Sequence, residues 1–474
     1  MQKRIILSTL VAGAILASCG SDSDTAQSIV SYLDKVASRG VTLPYSVLDA
    51  TIEDGAKLGS TMEIRNGGFG SASTAHPTNI NQFYALTDRG PNADYTGNEG
   101  EGKMFPTPDY TPRIGLFEIQ ADGSIKKIQE ILFKDREGKV ISGLPNRKGL
   151  GGTGELPYDK NGNIIRLDMT KAYDSNESSP TYNPLKLDDY GLDSEGLVAL
   201  KDGTFWVSDE YGPHMVHFDA NGKEIGRINA FDDARNVCKL PAEFGKRWAN
   251  RGMEGLAITP DEKTLVGIMQ STLDNPSKAV RGNLTRIVTV NLENCSNKQY
   301  LYKQEKKSNS NSEIVALDSD TFLVIERDGA FYNATPTAQK QVYKIKLSTG
   351  TELESVNLSE GMAQDASLGL TIDGKTLEQV VADNNHSWDM LSAKGIHPVE
   401  KSLVVDMVEK VQYPHDKMEG LIVFNSTTLG VLNDDDFATW ATDNVLEQKY
   451  LDEAQTNIDS NTLYIINNLD LSTN

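Results

Sequence analysis

At 474 residues and a formal net charge of −21, the chain is long enough for a large β or α/β core and too acidic to bind nucleic acid or to gain from an anionic lipid surface. Three cysteines with no CxxC, and only six histidines, exclude a zinc cluster and thiol redox catalysis. What such a surface suits is a hard cation, whose ligands are carboxylate oxygens.

Lys3 and Arg4, the apolar run from Ile5 to Leu16 and the tetrad Leu16-Ala17-Ser18-Cys19 read as an export signal over residues 1–18. The tetrad resembles the lipobox of bacterial lipoproteins, which implies an acylated Cys19 and attachment to a membrane through it, on the periplasmic or cell-surface face. Loss of Lys3 and Arg4 with the signal takes the net charge from −21 to −23. "GSDSDTAQ" follows at once, and no later run reaches the roughly 18 apolar residues that a helical span needs. Residues 19–44 form a tether and one short helix, because Ile29, Val30, Leu33 and Val36 recur at helical spacing and Gly40 ends the pattern.

From residue 45 to 474 the pattern is that of strands: apolar runs of four to eight residues bounded by Gly, Asp, Asn and Pro. One unit recurs in "DSEGLVALKDGTFWVSDEYG" (193–212), "GMEGLAITPDEKTLVGIMQST" (252–272), "NSEIVALDSDTFLVIERDGA" (311–330) and "KMEGLIVFNSTTLGVLNDDDF" (417–437), with a fainter copy at 67–90. Each copy runs acid, apolar run, turn, apolar run, polar or acidic end. The leading glutamates Glu195, Glu254, Glu313 and Glu419 are 59, 59 and 106 residues apart. Short hairpins at this period point to an all-β fold, a β-propeller whose innermost strands are covered on both faces. Long insertions at 91–112, 142–190 and 359–412 favour six blades, and the period alone allows seven. "YSVLDATI" near residue 50 is expected to complete the last blade beside "NTLYIIN" (461–467). A β-sandwich or two stacked domains is the structural alternative.

Equivalent positions of successive blades ring a central channel, so Glu195, Glu254, Glu313 and Glu419 are expected to converge at one mouth, joined by Asn433 and Asp434. So many close carboxyls cannot all ionise without a cation, bound protons or basic partners, and calcium is the natural guest. The second strand of each hairpin returns to the same end. It brings Asp88, Arg89, Asp209, Glu210, Glu326 and Arg327 there as candidate catalytic residues, with His214 and Asp436 among them. For any one of these acids, capping of a turn is the competing role.

Cys238 and Cys295 lie in consecutive units and are expected to form a disulfide in an oxidising compartment. His386, His397 and His415 fall away from the repeats and read as surface or packing residues. "GLGGTG" (149–154) matches a dinucleotide loop by letters, but no strand leads into it and Pro157 follows.

The blocks "YALTDRGPN", "DSEGLVALKDGTFWVSDEYGPHMVHFDANGKEIGRI", "NRGMEGLAITPDEKTLV", "FLVIERD" and "DKMEGLIVF…LNDDDF" together resemble the phytase-like domain family, named for esterase-like activity of phytase, over residues 46–470. The resemblance implies a propeller and hydrolysis of phosphoesters or carboxylesters, with Arg89, Arg327 or Lys417 holding phosphate oxygens. Two positions depart from the pattern: Asp435 replaces an asparagine of an "NDNDF"-like ending, and Glu313 is followed by Ile314 instead of glycine. Lysine and arginine are not concentrated in the blade-end blocks, which argues against phytate and for a smaller ester. The expected protein is an exported, monomeric, metal-assisted hydrolase of a small ester or phosphoester. The competing class is a non-catalytic tethered propeller that binds a glycan, ion or protein.

Overall fold

A computed structural model of the chain describes residues 30–383 and 387–473. The export segment 1–18, Cys19 and His386 lie outside the described residues.

The described residues are built mainly from antiparallel sheets. The first sheet joins Ala72–Ala75, Gln82–Leu86, Arg113–Ile119 and Ile125–Leu132. The second joins Ser194–Ala199, Phe205–Asp209, Met215–Phe218 and Glu224–Asn229, with Asn236–Lys239 added in parallel at its edge. The third holds Met253–Ile258, Thr264–Met269, Leu284–Asn291 and Asn297–Lys303. Ser310–Ala316, Thr321–Arg327, Lys340–Lys346 and Glu400–Asp406 make the fourth. The fifth contains Gly420–Asn425, Thr428–Leu432 and Thr462–Ile466, and the early strand Val41–Thr42 closes it. The first strands of the sheets pack against one another in chain order, and that of the fifth packs on that of the first, as in a β-propeller.

The inner strands must come close enough for backbone to meet backbone, which explains the glycine that follows the glutamate. A Cβ on Gly196 would lie 2.7 Å from the backbone nitrogen of Leu256, and one on Gly255 would lie 2.5 Å from that of Ile314. These strands are buried along almost their whole length, as expected for strands covered on both faces.

Among the described residues the first strands of five sheets contact one another in succession. Two expectations, on the N-terminal helix and on the closing strand, are corrected. The insertions do not supply another inner strand: residues 91–112 and 142–190 contribute the small sheet Ala93–Gly97, Gly100–Phe105 and Leu156–Asp159, while 359–412 builds another small sheet and short helices before giving the fourth sheet its outer strand. The expected N-terminal helix is a single 3-10 turn, Leu33–Lys35, enough to bury Leu33 and Val36 before the chain extends. Closure beside 461–467 comes from Val41–Thr42, whereas Ser46–Asp49 within "YSVLDATI" pairs with Ile64–Asn66.

The disulfide between Cys238 and Cys295 is present, with Cα atoms 5.3 Å apart, and it ties the edge of the second sheet to the outer hairpin of the third. His415 is buried and His397 is exposed.

Candidate functional site

A cavity of about 390 Å³ is lined by residues of all five sheets and their connections. Its acids include Asp88, Asp193, Glu195, Glu210, Glu254 and Glu419; its bases are Arg89, Lys103, Arg251, Arg327 and Lys417.

Local register explains which glutamates arrive. Pairing in the second sheet shifts between Ser194 and Gly196, and in the third between Met253 and Gly255, so Glu195 and Glu254 are bulge residues with no partner in the ladder. In the fourth sheet the shift falls between Asn311 and Glu313, which makes Ser312 the equivalent residue and puts Glu313 where Gly196 and Gly255 stand. Glu313 therefore misses the cavity. Its Oε1 accepts from the backbone nitrogens of Ile314 at 2.9 Å and Leu256 at 3.2 Å, binding the third inner strand to the fourth. Glu419 precedes Gly420, which pairs with Leu432, and it lines the cavity as expected.

The returning strands follow the same register. Two residues beyond the partner of the glycine position stand Asp88, Glu210, Gln270, Arg327 and Asp434 in sheets one to five. All but Asp434 line the cavity. Asp434 lies just behind, with Lys417 Nζ 3.1 Å from its Oδ2. The residues one position earlier face away from the cavity. Asp209 accepts from the backbone nitrogens of Asp193 and Gly212, both at 2.7 Å. Glu326 takes bonds from Tyr302, Asn309, Lys401 and the backbone of Glu305. Asn433 accepts from the backbone nitrogen of Thr462 at 2.8 Å. Thus Asp209, Glu326, Asn433 and Glu313 satisfy the frame around the site, whereas Asp88, Arg89, Glu195, Glu210, Glu254, Arg327 and Glu419 share it. His214 is fully buried, bonded to Asn146 at 3.2 Å, and burial holds it well below its usual range. Asp435 is buried outside the cavity and bonds the backbone of Phe437 at 3.1 Å.

Asp193 is the main residue the sequence reading missed, although it opens the "DSEG" block. Ligand oxygens of Asp88, Asp193 and Glu195 lie within 4.8 Å of one another. Asp193 also pairs with Arg89 at 3.2 Å, and Arg89 reaches Glu155 at 3.2 Å and Asn250 at 2.6 Å. On the other side Arg327 pairs with Glu419, donates to Ser312 Oγ at 3.0 Å and lies 3.9 Å from Glu254. Lys417 sits between Asp434 and Asp436, the latter at 2.6 Å. Behind Asp436, the buried Lys449 joins it to Asp416 and Asp459, and Asp459 holds His415 at 2.7 Å.

This crowding sets the protonation states. Burial, and then the charge of Asp193, pushes Asp88 up to about 8. Burial and the charge of Glu419 push Glu254 up to about 7. Glu195 and Glu210 are raised well above the carboxylate range by burial, with the charge of Glu254 adding to each. Glu254 Oε2 and Glu419 Oε2 are buried without a hydrogen-bond partner. The gathered carboxyl oxygens of Asp88, Asp193 and Glu195 could hold a metal ion.

The family model described as Phytase-like, esterase-like activity of phytase, matches residues 64–437. An "Uncharacterized secreted protein" of Arthroderma benhamiae is 30% identical over 195 residues, covering 32% of this chain and 37% of that protein. Among solved structures, the PQQ-bound aldose sugar dehydrogenase of Streptomyces coelicolor aligns with a TM-score of 0.32 at 8% identity, over 89% of this chain and 98% of that one. The Swd1 β-propeller domain of Myceliophteria thermophila aligns at 0.30 and 10% identity, over 83% and 98%. With the family model spanning well over half of its residues, the chain belongs to the phytase-like family, described by esterase-like activity of phytase.

Proposed function

We propose that the cavity is the hydrolytic site of an exported, metal-assisted esterase whose substrates are small phosphoesters, carried on a five-bladed ring. The observation that carries this reading is the pairing, in one cavity, of the cluster Asp88, Asp193 and Glu195 with the cations Arg89, Arg251, Arg327 and Lys417. Calcium held by Asp88, Asp193 and Glu195 would neutralise phosphate charge and acidify a water.

The chain's own groups do the rest. Arg251 and Lys417 face the cavity and bind non-bridging oxygens, Lys417 being kept charged by Asp434 and Asp436. Arg327, fixed by Glu419 and Ser312, presents its remaining edge to the same anion. Glu254, pushed up to about 7, exchanges a proton near neutral pH and serves as acid or base. A carboxylester or lactone uses the same arrangement with one fewer charge to neutralise. The protein acts as a monomer tethered through Cys19. No helix among the described residues is long and apolar enough to cross a membrane.

The test is turnover of phosphomonoester, phosphodiester and carboxylester panels by the full chain, with calcium and with chelator. Calcium-dependent hydrolysis of phosphoesters, lost in Asp88→Asn and Glu195→Gln, is the expected result. No hydrolysis of any panel by a folded, calcium-loaded protein overturns the reading in favour of a binding propeller.

A further inference from the structure

Among the described residues that line the cavity, Trp440 is the aromatic one, and it stands with Ala93 and Ala441 on an otherwise polar wall. The residue is 42% exposed. Its mounting is rigid. The hairpin Thr439–Thr442 and Val445–Gln448 turns through Asp443 and Asn444, both in the left-handed conformation that a tight hairpin turn requires. Asn444 bonds both backbone groups of Thr96, at 2.8 and 3.1 Å, and so bolts this hairpin to the neighbouring one at 93–105. At its root Gln448 donates through its side-chain amide to the backbone oxygen of Ala438 at 2.6 Å and through its backbone nitrogen to Asp54 Oδ1 at 3.0 Å. Lys449 Nζ lies 5.6 Å over the indole centroid, so one ring face meets a buried cation while the residue keeps open surface at the cavity.

From this we infer that Trp440 determines specificity: it stacks on the ring of a ring-bearing ester whose acid portion is held by Arg251, Arg327 and Lys417. An open-chain ester fills the polar part and leaves the indole wet. A ring with an apolar face, aromatic or pyranose, covers it and gains the apolar contact. This inference rests on the hydrolase reading for its kinetic form, but the stacking itself requires no turnover.

The experiment compares kcat/KM for phenyl phosphate, a hexopyranosyl phosphate and glycerol phosphate in the full chain and in Trp440→Ala and Trp440→Phe, with calorimetric binding of phenylphosphonate alongside. Trp440→Ala is expected to lower the ratio of ring to open-chain kcat/KM by about tenfold, chiefly through KM, with Trp440→Phe restoring most of it. A loss confined to phenyl phosphate or to the pyranosyl ester identifies the ring type. If no ester is hydrolysed but Trp440→Ala weakens phenylphosphonate about tenfold, the hydrolase reading fails and the platform stands. An unchanged ratio together with unchanged phenylphosphonate binding, or failure of the intact chain to bind any of these probes, overturns the inference.

Discussion

Arg327 in the fourth sheet reaches into the fifth to pair with Glu419, while the same guanidinium lies 3.9 Å from Glu254 of the third. One cation thus serves two buried carboxylates on different sheets, and those charges raise Arg327 above its already high range. Removing one partner of a buried pair leaves the other uncompensated, at a cost of about 3–5 kcal/mol. Arg327→Met should lower the unfolding free energy by that order in urea titration. Adding Glu419→Gln to it should recover part of the loss. A double variant as unstable as the sum of the singles would show that the pair is not coupled.

Stability should fall between pH 5 and 8 in the absence of divalent cations. Asp88 and Glu254 are raised in the fold to about 8 and about 7, from ordinary values of 3.8 and 4.5. The folded state therefore holds protons that the unfolded state releases. Their contribution is complete below about pH 4 and is lost as pH rises through 7 and 8. Asp49, lowered to about 2 by Lys160 and Thr51, has the opposite sign, but its contribution is lost only in acid; His214, held well below 6.5 by burial, also has the opposite sign below that pH, one group against the raised carboxyls of Asp88, Glu195, Glu210 and Glu254. Calcium binds the ionised carboxylates, so the gain in Tm from millimolar calcium should be larger at pH 8 than at pH 5. Scanning fluorimetry at both pH values checks this, and equal gains would count against a carboxylate site.

The hairpin repeat was legible in sequence because close approach of the inner strands demands a small residue, and Gly196, Gly255 and Gly420 mark it. The ring acids Glu195, Glu254 and Glu419 were legible for the same reason. Glu313 was misplaced because its strand is covered on both faces and lacks alternation, so a shift of one residue in register leaves no trace in the apolar pattern, although its missing glycine was the one available signal. Asp193 was overlooked since an acid before a bulge looks like a turn residue, and its role comes from Arg89 and Asp88, about a hundred residues earlier. Ring size depends on where insertions fold, which their composition does not record.

The Cys238–Cys295 bridge spans a sequence separation of 57 and joins two sheets at their outer edges. In the chain-entropy view such a link restrains the unfolded chain and contributes about 2–4 kcal/mol. Cys238→Ser with Cys295→Ser should lower Tm and the urea midpoint. Hydrolysis at temperatures where the variant stays folded should persist, because neither cysteine lines the cavity. Reductant should reproduce the shift in the parent chain and leave the double variant unmoved.

The sharpest contrast is between Glu195 and Glu313, which the sequence treats alike and the fold separates. Glu195 is a bulge residue facing the cavity, its oxygen within 4.8 Å of those of Asp88 and Asp193. Glu313 instead accepts from Leu256 and Ile314 and closes a seam between sheets. Glu195→Gln should relieve repulsion, so the variant should be at least as stable as the parent without calcium and should lose most of the calcium-induced rise in Tm. Burial holds the Glu313 carboxyl well above its usual range, so it binds the seam through ordinary hydrogen bonds to buried backbone; Glu313→Gln disturbs them and should cost about 1–3 kcal/mol with or without calcium, leaving the calcium increment intact. Glu419→Gln should fall between them, because it faces the cavity but also carries the charge that Arg327 needs. If Glu313→Gln abolished the calcium increment and Glu195→Gln kept it, the cation would bind at the seam and the assignment of the cavity would have to be abandoned.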